Sequence, residues 1–134
     1  MIGYVMVGTN DLAQESRFHE LVLKPLALIR FNSNPDYVAY ALHTVPEAIE
    51  FCVTLPFDQQ PAHYGNWSMI AFSAESRATV DHFHQIGLYN GGSNEGKIGS
   101  RPPEGLSSIN MCAISTATKH VFSIMAATLG RTFP

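Results

Sequence analysis

A chain of 134 residues is one ordinary domain by length, long enough to bury a core of its own. Its residues are 46% hydrophobic and only 14% charged, which excludes a disordered chain, and a formal net charge of −3 with no basic run excludes nucleic acid as the main ligand. No apolar run reaches the length of a membrane span, and the first residues carry neither a basic flank nor a cleavage-type site, so the expected compartment is the cytoplasm. A domain with so few charges is expected to cover part of its surface with a partner, and a homodimer is the simplest such partner. Cys52 and Cys112 stand alone in apolar surroundings without C-x-x-C spacing, and read as reduced core thiols.

Ile2–Val7 reads as a strand with two apolar faces. Asp11 follows as a helix N-cap, with Gln14 three residues on to complete a capping box. The helix carries Leu12, Phe18, Leu21 and Val22 on one face and must stop near Lys24, because Pro25 cannot continue it. Leu26–Phe31 can form a second strand, Asn32–Asp36 a turn, Tyr37–Leu42 a third strand and Ala48–Leu55 a fourth, which Pro56 ends. A polar loop over Asp58–Asn66 then separates the two halves.

The second half restarts with a strand over Trp67–Phe72 and a helix capped by Ser76, with Val80, Phe83 and Gly87 on one side. Asn90-Gly91-Gly92 supplies its end. The segment Gly96–Gly105 is rich in Gly and Pro around Arg101, and Asn110–Ile114 reads as a further strand. The last stretch fits two descriptions. Val121, Phe122, Ile124, Met125 and Leu129 recur at helical spacing, yet His120–Ala126 can also supply a strand.

An internal echo favours the strand. At a constant offset of 65 residues Tyr4 falls on Met69, Val5 on Ile70, Val7 on Phe72, Asp11 on Ser76, and Phe18-His19 on Phe83-His84. A fixed-offset repeat of strand, cap and helix marks a duplicated supersecondary unit. The expected fold is therefore α+β, with two βαβββ modules over about 1–66 and 67–134 that curl into an open mixed sheet.

The residues that carry this plan resemble a known superfamily. Met1-Ile2-Gly3-Tyr4-Val5-Met6-Val7-Gly8-Thr9-Asn10-Asp11-Leu12, Phe18-His19-Glu20, Pro56-Phe57-Asp58, Met69-Ile70-Ala71-Phe72 and Gly99-Ser100-Arg101-Pro102 are similar to segments of glyoxalase, bleomycin-resistance and extradiol-dioxygenase proteins (the vicinal oxygen chelate superfamily). The resemblance covers roughly residues 1–115. It implies a cavity between two half-cups and, in metal-dependent members, a divalent ion such as Zn, Ni, Mn or Fe. That ion is held by His, Glu or Gln on the first and last strands of each half. The scaffold hosts isomerases, lyases, dioxygenases and drug-binding proteins alike, so it does not choose among them.

Carried over residue by residue, that ligand pattern is not met. The first-strand positions hold Tyr4 and Met69, the fourth strand offers only Glu50, and no acid follows Glu104, which leaves His120 as a loose candidate in the last strand. The expectation is a protein without cofactor or metal that binds a small organic molecule, flat or partly anionic; the alternative is a diverged metal-dependent lyase, isomerase or dioxygenase. Tyr4, Phe57, Trp67, Met69 and Arg101 are the candidate ligand-binding residues, Arg101 because its planar fork suits an anion. For proton transfer the candidates are His43, at a strand end, and Glu50. His19, His82 and His84 lie on the outer helices and read as packing or surface residues.

Overall fold

Two four-stranded sheets, each backed by one helix, carry the fold. The computed structural model describes residues 1–63, 69–101, 109–115 and 123–128, with side chains for 1–63 and 69–95. The first half runs β1 (Val5–Gly8), α1 (Leu12–Leu23), a 3-10 turn (Lys24–Leu26), β2 (Leu28–Ser33), β3 (Tyr37–Leu42) and β4 (Ile49–Thr54). The second runs β5 (Met69–Ser73), α2 (Arg77–Tyr89), β6 (Ser93–Arg101), β7 (Ile109–Ser115) and β8 (Ser123–Thr128).

The strand orders are β1-β4-β3-β2 and β5-β8-β7-β6, so each sheet repeats the other's connectivity. In each, the first and last strands pair in parallel and the remaining neighbours antiparallel. The register repeats too. Val5 stands opposite Phe51, and Ile70, its counterpart in the sequence echo, stands opposite Ile124. The glyoxalase/bleomycin-resistance architecture expected from the residues is the one observed.

Caps close the helices as their residues dictate. The Asp11 carboxylate accepts from the Gln14 amide at 3.0 Å, while the Asp11 amide itself donates to Thr9 Oγ1 at 3.1 Å. Thr9 thus does what the Gln14 side chain of a capping box would do. Ser76 Oγ accepts from the Thr79 amide at 3.1 Å. At the end of α2 the Gly92 amide donates to Gly87 O at 2.8 Å and the Gly91 amide to Leu88 O at 3.4 Å, a Schellman pair. Gly91 has φ 95°, which glycine adopts without a Cβ penalty.

Strand ends depart from expectation where the chain has other demands. β1 begins at Val5 rather than Ile2, and β2 at Leu28 rather than Leu26 because the Pro25 turn occupies Lys24–Leu26. The Gly-rich segment before Arg101 is part of β6, whose register shifts between Asn94 and Gly96 and again between Gly96 and Gly99. Glycine tolerates such bulges in a strand. The described part of the final stretch, Ser123–Thr128, is strand: β8 pairs on one side with β5 and on the other with β7, while His120, Val121, Phe122 and Leu129 lie outside the described residues.

Alternation along the strands sorts the side chains. Val5, Val7, Val38, Tyr40, Phe51 and Val53 join Phe18, Val22 and Leu23 of α1 in one core, to which Ile70, Phe72, Val80 and Phe83 of the second half belong. That core spans both halves. Within it His19 lies fully buried against Phe18, Tyr40 and Phe51, its Nδ1 2.8 Å from Glu15 O. Burial holds its imidazole down to a pKa of about 4, so it is neutral at pH 7. It is a packing residue, as its place on the outer helix implied. Burial likewise raises the Tyr40 phenol, with the Glu20 charge next, and its hydroxyl donates to Ser16 O at 3.0 Å.

Candidate functional site

Backbone pairing decides which side chains stand together at the start of the first sheet. β1 and β4 run parallel with Val5 opposite Phe51, so Tyr4 and Glu50 each precede that pair by one residue. Val5 and Phe51 pack in the core, whereas Tyr4 and Glu50 are exposed. All four line one cavity of about 360 Å3. The first half contributes Ile2, Leu26, Leu28, Leu42 and Phe51 to its wall, and β5 contributes Ile70, Ala71, Phe72 and Ser73.

The cavity is apolar with few polar groups, a lining suited to small-molecule recognition. Glu50 is its one charged side chain among the described residues; the Tyr4 and Ser73 hydroxyls are the other polar side-chain groups. Phe51 and Phe72, both in its wall, touch edge to face, ring centroids 5.3 Å apart. These two rings were not among the candidates read from the sequence. The signal that could have found them is alternation: each lies on a strand next to a candidate, Phe51 after Glu50 and Phe72 three after Met69.

The expected residues divide. Tyr4 and Glu50 come together at the cavity. Met69 is half exposed at the start of β5, with its backbone opposite Ser123, and is not in the wall. Phe57 is fully exposed on the loop after β4. That loop is held to the first half through Asn10, whose side-chain amide both donates to and accepts from the backbone of Ala62. His43 is exposed just past β3, its amide donating to Ala27 O, and does not line the cavity. Arg101 closes β6, the edge of the second sheet opposite β5; its side chain and the whole of Trp67 lie outside the described residues.

The same register tests the metal site of metal-dependent relatives. Four positions are equivalent by pairing: Tyr4 and Glu50 before the Val5–Phe51 pair, Met69 and Ser123 before the Ile70–Ile124 pair. The donor set is a phenol, a carboxylate, a thioether and an alcohol. Only the carboxylate is an ordinary ligand for a borderline or hard divalent ion, and three or four such ligands are needed. These residues do not fit that metal. No group of three His, Cys, Asp or Glu able to hold an ion occurs among the described residues. Outside the cavity, Cys52 is a buried thiol whose pKa burial raises, and Arg30 is ion-paired with Glu20 on α1.

Comparison with solved structures agrees with the topology. The chain is 29% identical to a glyoxalase/bleomycin resistance protein from Albidiferax ferrireducens T118, with a TM-score of 0.82 over 96% of this chain and 98% of that one. A glyoxalase/bleomycin resistance protein/dioxygenase family enzyme from Burkholderia phytofirmans PsJN matches at 13% identity and a TM-score of 0.66, over 92% and 96% of the two chains. The fosfomycin resistance protein FosX from Listeria monocytogenes matches at 15% and 0.61, over 96% and 94%. The last two likenesses establish the fold alone. No protein-family model matches the chain, and no curated protein matches it. The resemblance read from the residues is thus borne out: the chain has the fold of the glyoxalase/bleomycin-resistance/dioxygenase proteins.

Proposed function

We propose that this protein, built on the glyoxalase/bleomycin-resistance scaffold, binds a small organic molecule in the cavity between its two halves and does so without a divalent metal. The observation that carries the reading is the cavity itself. Its walls come from β1 and β4 on one side and β5 on the other, so neither half encloses it alone. The metal-free part rests on the donor set, in which Glu50 is the single orthodox ligand among Tyr4, Glu50, Met69 and Ser123.

The proposal includes a homodimer. Tyr4, Met6 and Met69 are each at least half exposed, and Ile29 and Phe31 nearly so, all on or beside strands of the two sheets. Apolar strand side chains left in water at this density are expected to meet a partner surface. A cytoplasmic site goes with it, consistent with Cys52 as a free buried thiol. No helix among the described residues is long and apolar enough to cross a membrane.

The test joins two measurements on protein purified without chelator. Elemental analysis after dialysis is expected to find far less than one divalent ion per chain, and a thermal-shift screen of small organic molecules is expected to find ligands that raise the midpoint. One tightly held ion per chain, with activity lost on its removal and regained on its return, would instead favour the lyase, isomerase or dioxygenase alternative.

A further inference from the structure

We infer that the molecule this cavity takes is a protonated amine carried on an apolar, ring-bearing body. The inference rests on the binding reading above and names the chemistry of its ligand. It starts from the charge of the lining: among the described residues Glu50 is the only carboxylate in the wall, and no lysine, arginine or histidine lines it. Glu50 makes no ion pair with any described residue, whereas Arg30 of β2, which β3 separates from β4, is already committed to Glu20.

A carboxylate placed so discriminates by sign. An anion entering the cavity would lose water and meet a like charge with no described cation to offset it. A neutral molecule would gain the apolar contacts alone. An ammonium group gains an attraction and a charge-assisted hydrogen bond to the carboxylate, which is itself exposed to water. Tyr4 stands beside Glu50 at the same wall and adds a ring face for the cation. The remaining wall sets the body of the ligand: Leu26, Leu28 and Leu42 are aliphatic, and Phe51 and Phe72 present aromatic surface at right angles, 87° between their planes.

Arg101 closes β6, which β7 and β8 separate from β5 in the second sheet, and its side chain lies outside the described residues.

Three probes with one ring system separate the terms: tryptamine is a cation at pH 7, tryptophol is neutral and indole-3-acetate is an anion. Binding of each is measured by calorimetry to the whole protein, to Glu50→Gln and to the cavity-filling Ala71→Trp, with far-UV circular dichroism and denaturation midpoints to verify that both variants fold. The expected order is tryptamine, then tryptophol, then indole-3-acetate. Glu50→Gln should weaken tryptamine at least about fivefold and leave tryptophol unchanged, while Ala71→Trp should abolish all three. Equal binding of tryptamine and tryptophol, insensitive to Glu50→Gln yet lost in Ala71→Trp, would overturn the amine and leave the cavity reading standing. Tightest binding by indole-3-acetate would also overturn the amine. Failure of all three at millimolar concentration would overturn both readings.

Discussion

Phe51 of β4 and Phe72 of β5 meet edge to face, ring centroids 5.3 Å apart, and so join the two sheets through one aromatic contact. Phe51 is almost wholly buried and also packs on His19 and Tyr40. Phe51→Ala is expected to cost about 3–5 kcal/mol of stability, read from urea denaturation, because it leaves a cavity where three rings converge. A double-mutant cycle with Phe72→Ala should show a coupling of roughly 0.5–1.5 kcal/mol beyond area burial. Strict additivity of the two losses would mean that the rings do not interact in solution.

His19 makes stability depend on pH in a stated window. Its folded pKa is about 4 against 6.5 for the ordinary group, because burial disfavours the charged ring. The unfolded chain therefore binds the extra proton first. The stability tied to the neutral imidazole is complete above about pH 6.5 and is lost progressively as pH falls toward 4, below which this group adds no further change. The two pKa values differ by enough to remove on the order of 3 kcal/mol over that window. His19→Phe should flatten the denaturation midpoint between pH 6.5 and 4; an unaltered slope in the variant would assign the acid sensitivity to other groups.

The two N-caps should respond alike. Asp11→Ala and Ser76→Ala each remove the side-chain acceptor of an amide in the first turn, Gln14 in one case and Thr79 in the other. Each is expected to cost about 1 kcal/mol, with Asp11→Asn and Ser76→Thr keeping most of it. Denaturation midpoints of the four variants decide the matter, and a loss in the Asn or Thr variants as large as in the Ala variants would refute the capping role.

Association is checked by mass. Light scattering at micromolar concentration is expected to give about 29 kDa, twice the 14.7 kDa chain. Met6→Lys and Met69→Lys place charges on two half-exposed strand positions and should shift the mass toward that of one chain while the circular dichroism stays unchanged. A wild-type mass near 15 kDa at the same concentration would rule the dimer out.

Much of the fold was legible because its determinants are local. Alternating apolar residues, Asp11 and Ser76 ahead of helical stretches, Pro25 and Pro56 as stops, and Asn90-Gly91-Gly92 as a helix end each act within a few residues. The 65-residue echo then required the ambiguous last stretch to be strand, which local pattern alone could not decide, since the apolar residues of Ser123–Thr128 fit both periods. Strand ends were less legible. Whether Ile2 or Val5 begins β1 depends on how far β4 extends opposite it, and that is a matter of pairing between residues about forty-six apart.

The sequence by itself determined the paired topology and three of the four residues at the metal-equivalent positions, Tyr4, Met69 and Glu50; the pairing of β5 with β8 supplied the fourth, Ser123. Only the tertiary structure decided which side chains share a cavity. Tyr4 and Glu50 meet because parallel pairing of β1 with β4 brings together residues that are far apart in the chain, and the same pairing points both away from the core. Phe51 and Phe72 become walls because two sheets close on each other, an event driven by burial of the whole apolar surface rather than by any one residue. His43 and Phe57 fall on exposed turns beyond β3 and β4. Side-chain direction in a strand alternates with a period of two, so a shift of one residue in register would turn Glu50 toward the core and Phe51 away from it, and register is set only when the strands pair.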